Sequence, residues 1–260
     1  MSRREPARFE IPTRAPPPLD VSAHALFLDL DGTLIEIAES PDRVSASADL
    51  LKQLHVLHER MHGALALITG RTIAEADRIL AGAMATVAGV HGYEMRTNGA
   101  AIAREGIDVS TVEAAHNDAH ARIASGALPA MLENKLSSIA LHYRHAPDAE
   151  PVVRAAAEEI ARGHGLRLLE GKMVFELAAG ARTKADAVAT LMQNEPFSSR
   201  KPVALGDDVT DENAFREARG LGGHAVLVGE PRPSLAQYHL PNPTAVLRWL
   251  STPAKPERGA

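Results

Sequence analysis

A nearly continuous apolar run over residues 25–30 breaks off at acidic and glycine residues. Such a run is typical of a strand that is buried on both faces and ends at a ligand-binding loop. Between Ala48 and Met61 apolar residues recur at helical spacing, and a second strand-sized run follows over 64–68. The order strand, loop, helix, strand therefore predicts a parallel sheet covered by helices.

The alternation of strands and helices continues on both sides of a central segment. After the second strand the predicted elements are a helix over 73–80, a strand over 85–90 and a less regular stretch over 91–104. Nearer the C-terminus they are a helix over 183–193, a strand over 202–205, a helix over 210–218 and a strand over 225–228. The predicted fold class is α/β, with a Rossmann-like parallel sheet as its core.

The central segment, residues 107–178, has a different pattern. It predicts a helix, a strand, a second helix and two more strands, over 112–124, 138–143, 151–162, 166–169 and 173–177. We interpret it as an inserted α+β cap domain that divides a core domain into 23–106 and 179–253. Because proline fixes φ and lacks an amide proton, the Pro-rich residues 1–22 predict an extended, flexible arm. Residues 254–260 are expected to form a flexible tail.

Composition narrows the class of protein. The 260 residues are 45% hydrophobic, which suffices for a core domain and a smaller second one. No run approaches the roughly 20 apolar residues that a membrane span needs. No apolar segment follows the arginines at positions 3 and 4, so we expect a cytoplasmic protein without a signal peptide.

Charge and cysteine content limit the chemistry. A net charge of -5 argues against a nucleic-acid partner and favours a small-molecule ligand. The absence of cysteine excludes disulfides, thiolate metal sites and a cysteine nucleophile. Any reaction must therefore use oxygen, nitrogen or a hard metal ion.

Two carboxylates stand at the end of the first predicted strand. Asp29 and Asp31 are separated by Leu30, and side chains at i and i+2 of an extended segment point the same way. Both can therefore face one ligand, while Gly32 permits a tight turn. The alternative is a turn whose aspartates only cap backbone amides.

A second acidic cluster follows a later predicted strand. Residues 206–212 read Gly-Asp-Asp-Val-Thr-Asp-Glu and lead into a helix. Carboxylates this close repel one another, so a cation is the simplest reason to place Asp207, Asp208 and Asp211 together. Capping of the following helix is compatible with that role. In open α/β sheets ligands lie outside the carboxyl ends of the strands, where both clusters fall.

Residues 29–34, Asp-Leu-Asp-Gly-Thr-Leu, resemble the first motif of the haloacid dehalogenase-like superfamily, whose phosphatases use the first aspartate as nucleophile. The second motif is a Ser or Thr at the end of the next core strand, and Thr69 corresponds to it. The third is a Lys near a helix start, which Lys184 matches, although Ala185 stands where relatives usually have Gly. The fourth is an acidic cluster such as 206–212.

The resemblance implies Mg²⁺-dependent phosphoryl transfer. Mg²⁺ would be held by the carboxylates of Asp29 and Asp207 and by the backbone carbonyl of Asp31. Lys184 would add positive charge, since a phosphate dianion repels an attacking carboxylate. Asp29 would be the nucleophile, and Asp31 would protonate the leaving oxygen and then activate water.

Supporting roles follow from the same resemblance. Thr69 would hydrogen-bond a phosphoryl oxygen. Asp208 and Asp211 would orient the metal-bound waters, Lys184 or the turn.

Further segments resemble trehalose-6-phosphate phosphatases, and the similarity covers about residues 24–250. They are 69–71 (Thr-Gly-Arg), 89–94 (Gly-Val-His-Gly-Tyr-Glu), 133–135 (Glu-Asn-Lys), 142–144 (His-Tyr-Arg) and 206–212. The implied reaction is hydrolysis of the small sugar phosphate trehalose-6-phosphate through an aspartyl phosphate, as a step of trehalose biosynthesis. Functional coupling to a trehalose-phosphate synthase is left open.

The resemblance also implies the substrate contacts. The contacts at the reacting phosphate would come from Asp29, Leu30, Asp31 and Arg71. The cap residues that would hold the sugar hydroxyls are Glu133, Lys135, Arg144 and Glu176. Because side chains alternate along an extended segment, Glu133 and Lys135 should lie on one side of it. His142 and Arg144 should likewise share one side of their segment. The alternative is paired charges on a solvated strand face.

Other activities remain open from the sequence. A phosphatase for sucrose-6-phosphate or a hexose phosphate, a phosphohexomutase-like phosphotransferase and a catalytically silent sugar-phosphate sensor share the same motifs. The intact Asp29 and Asp31 pair argues against the sensor, because a binding protein needs no nucleophile.

Histidines form two patterns at helical spacing. His116 and His120 could bracket a transition metal, but no third ligand is evident nearby. His55, His58 and His62 form a similar stripe. We expect structural or solvated roles for them. We expect His91 to stabilise a turn.

Overall fold

The structure, a computed structural model, describes residues 8–37, 45–104, 109–135, 137–171, 173–180 and 182–252. In chain order its elements are β1 His24–Leu28, α1 Ala48–Arg60, β2 Leu65–Ile68, α2 Ile73–Leu80, β3 Val87–Gly89, β4 Glu94–Arg96, β5 Ala103–Arg104, α3 Val109–Ala124, β6 Met131–Lys135, β7 Ser138–His142, α4 Glu150–His164, β8 Arg167–Gly171, β9 Val174–Ala178, α5 Lys184–Leu191, β10 Lys201–Gly206, α6 Asp211–Gly220, β11 His224–Val228, β12 Tyr238–Leu240 and α7 Pro243–Ser251.

The chain divides into two compact units. The first has the bounds Met1–Ala103 and Arg182–Ala260 and is called the core below. The second, Arg104–Ala181, is called the insert. The sequence places the boundaries of the cap domain three residues inside those of the insert, at 107 and 178. The predicted tail over 254–260 lies outside the described residues.

The core sheet has the strand order β12-β11-β10-β1-β2-β3-β4-β5. Neighbours from β12 to β3 pair in parallel, and β4 is antiparallel to β3. All of β2 and all but the first residue of β1 are buried, as expected for strands covered on both faces. The predicted α/β class with a parallel sheet core is confirmed.

Strand register determines where the loops of the core meet. Leu28 at the end of β1 is aligned with Leu205 of β10 and with Leu67 of β2. Because parallel strands in this register end at one edge of the sheet, the residues that follow them come together there.

Side-chain caps start the helices near this edge. The Thr72 hydroxyl accepts a hydrogen bond from the Glu75 amide, and the Glu75 carboxylate accepts one from the Thr72 amide, a capping box that begins α2. The Asp186 carboxylate accepts from the Thr183 amide at 2.7 Å and fixes the start of α5. Lys184 is therefore held at the first position of that helix.

The described part of the Pro-rich arm, residues 8–22, makes specific contacts with the core. Glu10 and Ser234 exchange two backbone hydrogen bonds, of 3.0 and 2.8 Å. Leu19 is buried, and the Trp249 indole donates to the Pro17 carbonyl at 2.8 Å. These contacts attach this part of the arm to the core, and its flexibility stays a prediction.

The insert is a four-stranded antiparallel sheet of order β6-β7-β9-β8 with helices α3 and α4. The side chains that pack against the helices alternate along the two central strands and include Ile139, Leu141, Phe175 and Leu177. The residues between them point to the opposite face. No helix among the described residues is long and apolar enough to cross a membrane.

Candidate active site

The nucleophile predicted from the first motif follows β1 directly. The Asp29 amide donates to the Leu205 carbonyl at 3.0 Å, so the chain stays in the sheet up to this residue. Its side chain is only 8% exposed and accepts a hydrogen bond from Lys184 Nζ at 2.6 Å. Burial raises the pKa of Asp29 well above its usual range, against the opposing effect of Lys184.

Lys184 joins two carboxylates. Its Nζ donates to Asp29 Oδ1 and, at 2.7 Å, to Asp211 Oδ1. Burial alone would lower the pKa of Lys184, but the charges of the two aspartates outweigh burial and raise it. Lys184 therefore stays charged beside the nucleophile.

Asp211 uses both of its oxygens on donors of the protein. While Oδ1 accepts from Lys184, Oδ2 accepts from the amides of Asp207 and Asp208 at 3.1 and 3.0 Å. Gly206 is required beside it, because a Cβ there would lie 2.1 Å from the Asp211 carboxyl carbon. Asp211 therefore contacts both the lysine and the turn, which fits the supporting role that the resemblance implies for it.

Three carboxylates are close enough to share an ion. Asp29, Asp207 and Asp211 offer oxygens that all lie within 4.8 Å of one another. Since Asp211 is already bonded to a lysine and two amides, Asp29 and Asp207 are the better ligands. Hard oxygen donors of this kind suit Mg²⁺ or a similar cation, so the residues present fit the predicted metal.

Asp207 lies against the loop that follows Asp29. A Cβ on Gly32, whose φ is +76°, would be 2.2 Å from Asp207 Oδ2, so glycine is needed for both its conformation and its size. Burial, with the charges of Asp211 and Asp208, raises the pKa of Asp207 to about 6. A bound cation would offset the negative charge of Asp211 and Asp208, which adds to the effect of burial on this pKa.

Asp31 and Arg71 form a two-pronged ion pair. Arg71 Nε and Nη2 donate to the two carboxylate oxygens, each at 2.7 Å. The hydrogen bond to Asp31 raises the pKa of Arg71. The Arg71 amide in turn donates to Oγ1 of the buried Thr69 at 3.1 Å. The predicted acid-base residue, the predicted phosphate-binding arginine and the second-motif threonine are therefore adjacent.

The segment 89–94 supports this loop and the start of α5. The amides of Val90 and His91 donate to the carbonyls of Arg71 and Thr69, and the His91 ring lies against Gly70. These contacts fit the turn-stabilising role expected for His91.

Glu94, at the end of that segment, and Arg182, which contacts it, have supporting contacts that we did not predict. The buried Glu94 accepts from the Ile73 amide at 2.8 Å, and Arg182 donates to the Gly92 carbonyl at 2.7 Å. Glu94 belongs to a segment singled out in the sequence, but its role depends on a contact 21 residues away.

The acidic turn has a brace that sequence reasoning missed. Arg232 donates to the carbonyls of Asp207 and Asp208 and is paired with Glu212, whose other oxygen accepts from the Leu235 amide at 2.7 Å. The Asp208 side chain is exposed and lies 3.5 Å from the Thr210 hydroxyl. Of Asp207, Asp208 and Asp211, which the sequence groups around a cation, Asp208 is the one that lies outside the three-carboxylate cluster.

The insert brings three of its four predicted sugar-binding residues onto one sheet face. Lys135 donates to Glu176 at 3.1 Å, and Glu133 is hydrogen-bonded to His142 at 2.8 Å. Arg144 is exposed and lies in a turn, because β7 ends at His142. The expected alternation of His142 and Arg144 therefore does not extend to Arg144.

His116 and His120 lie on α3, and His55 and His58 lie on α1. His62 lies in the turn that follows α1, so the predicted stripe does not continue to it. The rings of His116 and His120 stack with centroids 6.2 Å apart, and His55 lies 3.5 Å from Glu59. Within the described part of the chain, no group of three histidines or acids other than the aspartate cluster could share an ion.

Comparisons with known proteins agree with the geometry. A family model described as trehalose-phosphatase matches residues 27–243. A probable trehalose-phosphate phosphatase of Sinorhizobium fredii is 37% identical over 217 residues, which are 83% of this chain and 81% of the relative. The trehalose-6-phosphate phosphatase of Escherichia coli is 37% identical over 238 residues, 87% of this chain and 85% of that protein.

Solved structures of similar fold include a protein related to the same phosphatases. A trehalose-6-phosphate phosphatase related protein is 28% identical with a TM-score of 0.71, covering 86% of this chain and 94% of its own. A haloacid dehalogenase-like hydrolase from Bacteroides thetaiotaomicron, 15% identical with a TM-score of 0.63, covers 88% of this chain and 98% of its own and shares the fold.

Proposed function

The chain belongs to the trehalose-phosphatase family, as its motifs predicted, and on this premise we propose that it hydrolyses trehalose-6-phosphate to trehalose and phosphate. It is a phosphoric monoester hydrolase. The observation that carries the proposed mechanism is the contact of Lys184 with Asp29, 2.6 Å long and buried beside Asp207.

Asp29 is the proposed nucleophile. Its carboxylate attacks phosphorus, the bond between phosphorus and the sugar oxygen breaks, and Asp31 gives that oxygen a proton. Water then attacks the phosphorus of the aspartyl phosphate, Asp31 takes the proton of the water, and the Asp29 carboxylate is released with phosphate. Lys184 holds the Asp29 carboxylate in place and lowers its repulsion from the phosphate dianion.

Asp29 and Asp207 are the proposed side-chain ligands of Mg²⁺, with the Asp31 carbonyl as a further predicted ligand. The bound ion supplies positive charge that offsets the charge of the phosphoryl group. Asp211 keeps Lys184 and the acidic turn in position, as its hydrogen bonds to both support.

Arg71 has a proposed dual role. In the free protein it binds both oxygens of Asp31, an arrangement that suits a guanidinium equally well for two phosphoryl oxygens. We propose that the substrate phosphate binds Arg71 in place of Asp31, so that the Asp31 carboxylate is released for its acid-base role. Thr69, next to Arg71, is proposed to hydrogen-bond the phosphoryl group.

Sugar recognition is proposed for the insert. Glu133, Lys135 and Glu176 share one sheet face and offer both donors and acceptors, which a disaccharide with many hydroxyls requires. Arg144 stays a predicted sugar contact on the resemblance alone. The cytoplasmic location and the coupling to a trehalose-phosphate synthase also stay predictions.

A substrate panel tests the proposal. Phosphate release is measured with trehalose-6-phosphate, sucrose-6-phosphate, glucose-6-phosphate and an aryl phosphate, each with Mg²⁺ and with EDTA. We expect the highest kcat/KM for trehalose-6-phosphate and no turnover in EDTA. A higher kcat/KM for another sugar phosphate would overturn the substrate, and an isomerised product that needs a bisphosphate activator would indicate a phosphotransferase.

A further inference from the structure

The polar face of the insert contains a buried serine that no motif singled out. The register aligns Glu133, Ala140 and Glu176 in one cross-strand row and Lys135 and Ser138 in the next. Residues two apart on a strand share a face, so these side chains all lie on the face opposite α3 and α4. Ser138 is only 1% exposed.

The Ser138 hydroxyl is bonded to a predicted sugar-binding carboxylate. Its Oγ donates to Glu176 Oε1 at 2.6 Å, a short distance that is typical of a hydroxyl and a charged acceptor. Burying a hydroxyl without a partner costs free energy, and serine has no special preference for strands. The contact with Glu176 therefore gives a reason for a serine at this position.

Glu176 is held from two sides, and the two donors differ in rigidity. Lys135 donates to Oε2 at 3.1 Å from a long side chain that is 36% exposed. Ser138 has one heavy-atom side-chain torsion and is buried. Of these two donors, Ser138 is the closer and the stiffer.

We infer that Ser138 is a positioning residue for substrate recognition: it fixes the Glu176 carboxylate in the orientation that accepts hydrogen bonds from sugar hydroxyls. This inference rests on the proposed function of the insert and adds a residue to it. The serine acts through Glu176 and needs no contact of its own with the substrate. Supporting residues of this kind affect binding when the group they orient is used in recognition.

The other pair on this face does not support an equal inference. His142 and Glu133 are 36% and 51% exposed, so water competes for both groups. Of the contacts Ser138–Glu176 and His142–Glu133, only the first has a buried donor with a single heavy-atom side-chain torsion.

The variant Ser138→Ala tests the inference, with Ser137→Ala as its matched control. Both remove a buried serine hydroxyl from adjacent positions of the insert, and Ser137 makes its described contact through its backbone carbonyl, to the Ala179 amide. We expect Ser138→Ala to raise KM for trehalose-6-phosphate about tenfold with a smaller change in kcat, since a hydrogen bond to a charged group is lost. Ser137→Ala should keep the wild-type KM.

A double-mutant cycle with Glu176→Gln separates positioning from a general loss of structure. If Ser138 acts through Glu176, Ser138→Ala should raise KM by less than about twofold when Glu176 is already Gln. Equal effects of Ser138→Ala in both backgrounds, or none in the wild-type background, would overturn the inference. Thermal unfolding of each variant is recorded, and an additive cycle overturns the inference even if Ser138→Ala lowers stability.

The same measurements distinguish a failure of the proposed function from a failure of the role inferred for Ser138. If the wild type hydrolyses an aryl phosphate but not trehalose-6-phosphate, the substrate is wrong and the inference falls with it. If the wild type hydrolyses trehalose-6-phosphate and the cycle is additive, only the role of Ser138 is wrong.

Discussion

The acidic residues of the core follow strand ends, whereas those of the insert lie along strand faces. Three side chains of the core site are almost fully enclosed, at 8% exposure for Asp29, 4% for Lys184 and 2% for Asp211. On the insert face Lys135 and Glu176 are 36% and 26% exposed. Electrostatic interactions are stronger where water is excluded, so the core is suited to chemistry and the insert to reversible recognition.

The largest effect is expected from Asp29→Asn. An amide is a poor nucleophile, so turnover of every substrate should fall by at least about 10³-fold. Phosphate release from both trehalose-6-phosphate and an aryl phosphate measures this, and circular dichroism checks the fold. Appreciable residual turnover of either substrate would contradict the role of Asp29.

Asp211→Asn should have the second largest effect. It leaves Lys184 with one carboxylate partner and weakens the acceptor of two turn amides, so kcat should fall about 10- to 100-fold and the thermal midpoint should also fall. Asp208→Asn, an exposed change in the same turn, is the matched control and should stay within about threefold of wild-type kcat. Equal losses in the two variants would remove the distinction between the buried cluster and its surroundings.

Lys135→Ala should affect only recognition. Removing the donor to Glu176 should lower kcat/KM for trehalose-6-phosphate about tenfold relative to that for an aryl phosphate. The two values are measured side by side at one Mg²⁺ concentration. An equal decrease for both substrates would mean that Lys135 affects the chemical step, and would contradict a role of the insert in recognition alone.

The smallest effect concerns stability and pH. The pKa of Asp207 is raised to about 6, mainly by burial, so its ionised form destabilises the metal-free protein at pH 7 and the cost is relieved as pH falls below 6. In EDTA, Asp207→Asn should therefore be more stable than the wild type at pH 7, by on the order of 1 kcal/mol, and the difference should shrink by pH 5. Urea unfolding at both pH values measures it. A difference that is the same at both pH values would show that the pKa of Asp207 is not raised in the folded protein.

Most of the core could be predicted because its signals are local. The runs that became β1 and β2 are apolar on both faces, and the α1 and α2 stripes have clear helical spacing. Three short strands, β4, β5 and β12, span only two or three residues each and were missed for lack of pattern. We did not assign α7, although Asn242 and Pro243 mark its start.

The site was predictable where motifs have fixed spacing. Asp29, Asp31 and Asp207 could be singled out from strand-end position and family resemblance, and the assignment of their roles stays a prediction. The contacts of Ser138, Glu212 and Arg232 could not be predicted in this way, because each joins residues that are 20 or more positions apart in sequence. Strand pairing and loop closure create those contacts, and no local pattern encodes them.

The central claim is that Asp29 and Asp207, which are distant in sequence, hold one cation together. Equilibrium binding of Mg²⁺, measured by calorimetry, tests this claim most directly. The wild type should bind the ion, Asp29→Asn and Asp207→Asn should each weaken binding at least about tenfold, and Asp208→Asn should bind nearly as the wild type does. Unchanged binding in both Asp29→Asn and Asp207→Asn would contradict the proposed metal site.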